Sequence, residues 1–255
     1  MNRFTDTKLK KLLTTWPQGT VYLSSHLNER GIGYDLQRLY KKSGWIASIG
    51  QGAVVRTGDE VAWQGAIFAL QQQAELKIHV GAKTALTVHG YAHFVHLAKE
   101  KIQLFGVQKS KLPTWFLKHN WGSKVEFHRS SLFGNNTQVG LQKQSYNTFE
   151  ITVSSPERAI LELLDLVPQS ETFNESALIA ESLSTLRPKL LEQLLSSCTS
   201  VKVKRLFLYL ADKQAHAWLK KIDLSQIDLG KGDRQIVKGG VYDPKYRITV
   251  PQEVN

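Results

Sequence analysis

YLSSHLNERGIGYDLQRLYKKSGWIASIGQGAVVR, residues 22–56, holds two short apolar-periodic segments followed by two extended runs around a glycine-rich turn. Tyr22, Leu23 and Leu27 predict a short helix that ends near Arg30-Gly31, where glycine accepts the turn geometry. Ile32 introduces a further helix in which Leu36, Leu39 and Tyr40 are expected to face inward. Tyr34, Gln37, Arg38 and Lys41 then fall on the outward face, with Lys42 at its edge. Ile46, Ala47, Ser48 and Ile49 form an extended run, Gly50-Gln51-Gly52 a turn, and Ala53 to Arg56 a returning strand.

Upstream, Phe4, Leu9, Leu12 and Leu13 have helical spacing, with Thr5 as the expected cap and Trp16-Pro17 as the stop. Three short helices on one shared core, followed by a hairpin, make a winged helix-turn-helix. In that arrangement the third helix enters the major groove and the wing reaches the neighbouring backbone or minor groove. Gln37 and Arg38 carry the chemistry for base edges, and Tyr34, Lys41 and Lys42 that for phosphate oxygens. Gln51 and Arg56 are the wing candidates, although Arg56 could equally flank the hairpin. The competing reading of the helix is a solvated charged face, and helix-hairpin modules also serve protein interaction.

Charge distribution favours the nucleic-acid reading. The 255-residue chain has a formal net charge of +11, which suits an anionic partner. Residues 1–58 hold nine basic and three acidic side chains, against twenty-four and nineteen in residues 59–255. More than half of the excess therefore lies in less than a quarter of the chain, as expected for a phosphate-facing surface. With 42% hydrophobic residues the chain has material for one large domain or a small one followed by a larger one. Cys198 is the single cysteine, which excludes an intrachain disulfide framework and a Cys-rich zinc site and fits a cytosolic setting. No apolar run approaches the ~20 residues that span a bilayer, and the N-terminal MNRFTDTKLKKLL has no secretory pattern. A soluble cytoplasmic protein with no membrane partner is the expectation.

Beyond Asp59, EVAWQGAIFALQQQ predicts a helix joining the wing to the rest, so the domain expectation is residues 1–58 for the DNA-binding module, 59–75 for a connecting helix and 76–255 for a larger domain. KIHVGAKTALTVHGYAHFVHLAKEKIQLFG places a helix between extended runs. SKVEFHR, VGLQKQ and NTFEITV are further candidate strands. The fold class expected is mixed α/β (α+β): an N-terminal winged helix-turn-helix followed by a larger mixed α/β domain.

Candidate chemistry in that larger region is sparse. His89, His93 and His96 have spacing that could align three imidazoles on one helix face, but no HExxH motif or nearby cysteine accompanies them, and no metal site is predicted. In SSPERAILELLDLV, Ser155 can cap, Pro156 suits the first helical position, Glu157 favours the positive end, and Ile160, Leu161, Leu164 and Val167 form an apolar stripe. Glu157, Glu162 and Asp165 are best read as serving helix capping, solvation and an ion pair with Arg158. NESALIAESLSTL and RPKLLEQLLSSC predict a helix pair ending at Cys198, which lacks the surroundings of a nucleophile and reads as a small buried thiol. Lys202, Lys204 and Arg205, with Lys231, Arg234 and Lys238, form a possible secondary basic surface, alongside Lys245 and Arg247; they could as well be ordinary solubilising charges. GKGDR lacks the GxxxxGK[ST] spacing of a phosphate loop, and no cofactor is implied.

YLSSHLNERGIGYDLQRLYKKSGWIASIGQGAVVR, GAKTALTVHGYAHF, VSSPERAILELLDLV, VKRLFLYLADK and IDLGKGDRQIVKGGVYDPKYRITVP, in that order, resemble the AbiEi-like antitoxins and transcriptional regulators of type IV toxin-antitoxin systems. Together these segments span nearly the whole chain. The resemblance implies a winged helix-turn-helix that binds repeats in its own operon promoter and represses transcription. It further implies a C-terminal domain that supports neutralisation of a nucleotidyltransferase-like toxin, without requiring a stable direct complex. Recognition-helix roles fall on Tyr34, Gln37, Arg38 and Lys41, and a wing role on Gln51. No enzymatic activity is expected of the chain. Two alternatives stay open at this level: a nucleic-acid-processing enzyme with a winged targeting domain, and a protein-interaction module. Operator sequence, toxin identity and self-association are not legible here.

Overall fold

The computed structural model describes residues 3–91 and 101–252. From the N-terminus it runs α1 (Arg3–Thr15), β1 (Tyr22–Leu23), α2 (Ser24–Glu29), α3 (Tyr34–Lys42), β2 (Ile46–Gly50) and β3 (Ala53–Arg56). The three strands form one sheet in the order β1-β3-β2, with both pairings antiparallel. A helix, a short strand, two helices and a hairpin whose second strand pairs with the first strand constitute a winged helix-turn-helix.

Its core follows from the apolar spacing. Leu9, Leu12 and Trp16 of the first helix and its exit meet Tyr22, Leu27, Ile32, Tyr40, Ile46 and Val54, with Leu13 and Leu36 packed at the margin. Trp16 stacks on Tyr22 with ring centroids 4.2 Å apart, and its indole N–H donates to the Thr20 carbonyl at 3.1 Å. The polar edge of a buried indole is thereby satisfied within the core. Thr5, expected as the cap of the first helix, lies inside it instead, because the helix already includes Arg3.

The third helix departs from expectation in which side it buries. Leu39 is 43% exposed, whereas Gln37 is only 2% exposed. Leu36 and Tyr40, four residues apart, define the inward line, and Gln37 lies three residues before Tyr40 on the same side. Leu39 is turned about 100° away from Tyr40, as the 3.6-residue period requires. Hydrophobicity assigned Leu39 to the core, but angular position overrides it.

Downstream lie α4 (Trp63–Gln72), β4 (Ile78–Val80), α5 (Ala82–Val88), β5 (Lys101–Gly106), α6 (Thr114–Lys118), β6 (Lys124–Arg129), β7 (Leu141–Tyr146) and β8 (Phe149–Ser154). Four helices follow, α7 (Pro156–Asp165), α8 (Phe173–Ser182), α9 (Pro188–Ser197) and α10 (Val201–Lys213), and then β9 (Arg234–Gln235), β10 (Val241–Asp243) and β11 (Ile248–Val250). One sheet has the order β6-β5-β4-β8-β7, with β4 parallel to β8; a small one has the order β10-β11-β9. The fold is mixed α/β, with the winged module followed by a larger mixed α/β region.

The chain divides into two compact units. One comprises Met1–His79, Lys109–Val125 and Lys143–Thr152; the other comprises Val80–Gln108, Glu126–Gln142 and Val153–Asn255. In the second unit, α7 is the central helix, packing against α5, α8, α9 and α10. Its expected stripe is buried completely, Ile160, Leu161, Leu164 and Val167 all being 0% exposed. Pro156 occupies the first helical position and Ser155 the N-cap, although the serine side chain makes no capping bond. Among the described residues no helix is long and apolar enough to cross a membrane.

In the first unit, α4 is held by backbone groups. β1 is an edge strand, and the Gln73 side chain supplies the partner it lacks, accepting from Leu23 N at 2.8 Å and donating to Val21 O at 2.9 Å. Gln71 does the same elsewhere, accepting from Thr152 N at 2.7 Å and donating to Ile78 O and Thr152 O, each at 3.0 Å. Gly65 of α4 allows this approach, since a Cβ there would stand 1.9 Å from Gly19 O and 3.0 Å from Thr20 Cα. Relief requires moving backbone, and overpacking of this kind typically costs about 1–3 kcal/mol. Gly65→Ala is expected to destabilise the protein by at least about 2 kcal/mol on that scale, read as a lowered urea midpoint with the slope unchanged.

Candidate nucleic-acid interface

α3 presents a basic outward face. Gly33 starts the helix, Asp35 lies in the first turn, and Lys41 and Lys42 lie in the last, where they complement the helix dipole. Tyr34 is 60% exposed, and Arg38, Lys41 and Lys42 are exposed as well. Arg38 approaches Asp35 at 3.4 Å across one turn, with both side chains largely in solvent. An exposed pair of this kind contributes less than about 1 kcal/mol, so the guanidinium is readily released to another acceptor. Leu39 and Trp45 add exposed apolar surface at the flank and exit of the helix.

Gln37, expected on this face, is not there. Its Nε2 donates to Ser24 O at 2.9 Å and to Ile32 O at 2.8 Å. The amide thus ties the first residue of α2 and the interhelix turn to α3, and the geometry of the helix pair rests partly on it. Its chemistry is structural and its donors are engaged. The signal available in the sequence was angular, since Gln37 shares the inward arc with Leu36 and Tyr40.

The wing is short. β2 and β3 pair with a register irregularity between Ser48 and Gly50, and the turn at Gln51-Gly52 places Gly52 at a φ of +82°, in the left-handed region that glycine adopts freely. Gln51 is exposed at this turn. The Gly52 carbonyl accepts from Ser24 N at 2.9 Å, fastening the turn to the start of α2. Arg56 does not project from the wing. Its Nε donates to Asp59 Oδ2 at 3.2 Å and one terminal nitrogen donates to Leu13 O at 3.0 Å, so it locks the end of β3 to the end of α1. Of its two expected roles, flanking the hairpin is the one its contacts describe.

Of the residues expected to form a second basic surface, Lys204 and Arg205 are buried and Lys202 is engaged by backbone carbonyls. Arg205 is 2% exposed and its guanidinium donates to Leu229 O, Gly230 O, Gly232 O and Arg247 O. Lys204 is 5% exposed. Lys202 donates to Asp165 O at 2.9 Å and Val167 O at 2.6 Å, and burial pulls its ammonium below its ordinary pKa against the opposing pull of Asp165. Lys231 and Lys238 are exposed and Arg234 is half-buried. Lys245 and Arg247 form ion pairs with Asp212 and Asp233, at 2.7 and 2.9 Å.

The acidic groups of α7 are engaged just as fully. Glu162 accepts from Arg158 Nε at 2.7 Å, Ser154 Oγ at 2.7 Å and Ala82 N at 3.2 Å. The expected ion pair with Arg158 is present, but Glu162 is buried rather than solvated. Glu157 meets Arg187 at 2.9 Å through both oxygens; burial pushes its carboxyl up, but hydrogen bonds, those from Arg187 first among them, hold it below the usual range. His89 Nε2 donates to Ser154 O at 2.9 Å, while His93 and His96 lie outside the described residues. Among the described residues no group of three or more His, Cys, Asp or Glu could hold a metal ion.

Residues 99–251 match a family model described as transcriptional regulator, AbiEi antitoxin, type IV TA system, and residues 5–97 match one described as the AbiEi antitoxin N-terminal domain. Among solved structures, the chain is similar to the crystal structure of RV2827C protein from Mycobacterium tuberculosis, at 14% identity and a TM-score of 0.59, over 97% of this chain and 92% of that one. At this identity the likeness concerns the fold. A search of curated proteins gives no match.

Two outcomes follow from these side-chain assignments. Gln37→Ala leaves two carbonyls without this donor and is expected to cost about 2–6 kcal/mol, at about 1–3 kcal/mol for each buried unsatisfied group, measured by chemical denaturation. Cys198 is buried and its thiol is pushed up to about 11, chiefly by burial. Since the thiolate is the reactive form, iodoacetamide at pH 8 is expected to label the native protein at least about a hundredfold more slowly than the urea-unfolded chain, as followed by mass spectrometry.

Proposed function

The chain belongs to the AbiEi family of transcriptional regulators and type IV antitoxins, and from that membership we propose that it represses its own operon by binding repeated sequences in the promoter. Residues 1–58 are the reading module, 59–75 the connection, and 76–255 the region that supports neutralisation of a nucleotidyltransferase-like toxin in the cytoplasm. The observation that carries the DNA reading is the exposed face of α3, where Tyr34, Arg38, Lys41 and Lys42 stand outward from a core-fixed helix.

Each residue has a distinct task in this reading. Arg38 leaves its weak pair with Asp35 and presents two parallel donors to a guanine edge, a contact that discriminates by about 1–3 kcal/mol. Lys41, Lys42 and Tyr34 bind phosphate oxygens and set the register of the helix in the groove. Gln51 reaches backbone or minor groove from the wing turn. Gln37 and Arg56 hold the frame. Neutralisation is assigned separately from toxin binding, because a regulator can oppose a toxin through its substrate as well as through contact.

Fluorescence anisotropy with the chain's own upstream DNA and a length-matched scrambled duplex tests the reading. Arg38→Glu combined with Lys41→Glu is expected to abolish the preference and to weaken binding at least about tenfold, with a shallower salt dependence because fewer counterions are released. The same variant is expected to retain rescue of cells expressing the cognate toxin. Unchanged specific binding would overturn the assignment of α3.

A further inference from the structure

The segment Lys109–Val125 lies in the stretch matched by the C-terminal family model, residues 99–251, yet folds within the first unit, with the winged module. We propose that it extends the DNA-binding surface, with Lys111 and Lys118 contacting phosphates of the same duplex beside the wing. This rests on the promoter-binding reading of α3.

The contact that builds the surface is specific. α6 packs on β2, the strand that α3 also packs on. At Gly50, the last residue of β2, a Cβ would stand 2.7 Å from Trp115 Cβ and 3.1 Å from Trp115 Cα. Only glycine lets the two backbones approach this closely. Trp115 and Phe116 are 5% and 0% exposed, with their rings edge to face. Trp121 packs against Phe116 and donates its indole N–H to Phe116 O at 2.8 Å, and His119 lies over Trp121 with centroids 4.2 Å apart. A short helix that could not persist alone is thus clamped by aromatic rings against the wing strand.

What this anchored segment turns outward is positive. Residues 107–125 contain Lys109, Lys111, Lys118 and Lys124 and no Asp or Glu. Lys111 and Lys118 are exposed, and neither forms an ion pair with a carboxylate among the described residues. These two stand on a segment that buried aromatic side chains anchor to β2. β2 has five residues and is therefore about 16 Å long at ~3.3 Å per residue. DNA carries one phosphate charge per ~1.7 Å of axis, so a duplex that meets α3 presents several phosphates over the length of the strand that supports both α3 and α6. Charge complementarity, on a segment that shares its supporting strand with α3, selects the duplex as the occupant.

The test compares full-length wild type, Lys111→Glu/Lys118→Glu, Lys111→Arg/Lys118→Arg, and Lys220→Glu/Lys221→Glu, which makes the same change in net charge at exposed lysines of the second unit. Anisotropy against the upstream and scrambled duplexes is recorded across salt. Each lost phosphate contact removes about 0.9 from the slope of log K against log salt. The segment variant is therefore expected to lower that slope by about two and to weaken both duplexes in parallel by about tenfold or more. The arginine pair retains the slope and the second-unit pair changes it little. An unchanged slope in the segment variant, or an equal fall in the second-unit control, overturns the proposal while leaving the α3 reading standing. If wild type binds without preference, the promoter reading fails and the slopes still judge this segment; binding of neither duplex overturns both.

Discussion

Backbone carbonyls that lack a helix or strand partner are met throughout this protein by long polar side chains, and much of the architecture follows from which side chain meets which carbonyl. Gln37 joins α2 to α3, Gln73 completes the edge strand β1, and Arg56 closes the end of α1. In the second unit Arg205 gathers four carbonyls, Lys202 two, and Arg158 the carbonyls of Thr137 and Val139 at 2.7 Å each. A buried carbonyl left without a donor costs about 1–3 kcal/mol, comparable to a sizeable fraction of a domain's net stability. These side chains are therefore as much a part of the scaffold as the apolar core.

That constraint changes the meaning of the net charge. A formal +11 reads as attraction for polyanions, but attraction at a surface depends on cations that face solvent and lack a carboxylate neighbour. Arg158, Lys204 and Arg205 are buried, and Arg56 is largely so. Lys245 and Arg247 are paired with aspartates. In the first unit exposed cations remain on α3 and on the segment around α6, which both pack on β2, and also on α1 at Lys8, Lys10 and Lys11. A basic protein has in this way a smaller basic surface than its composition suggests.

The same accounting separates scaffold from chemistry in the second unit. Paired carboxylates on a helix, a lone cysteine and spaced histidines are the raw material of many active sites. Here Glu162 and Glu157 are saturated by donors, and the Cys198 thiol is held protonated by burial. The family is one of transcriptional regulators and antitoxins, and Glu157 and Glu162 serve here to hold α7 at the centre of its unit.

Periodicity and turn chemistry were enough, from the sequence by itself, to determine the winged module, the helix beginning at Pro156 and the mixed α/β character of the remainder. Apolar spacing and glycine positions are local properties, and local rules decide which elements form. The outward side of α3 was legible for Tyr34, Arg38, Lys41 and Lys42, but not for Gln37, whose polar side chain faces inward because two carbonyls there need donors. Nor could sequence order show that Lys109–Val125 folds with the first unit, or that Gly50 exists to admit Trp115. Those outcomes depend on which distant groups meet, and only tertiary packing brings a donor to its carbonyl or a tryptophan to its glycine.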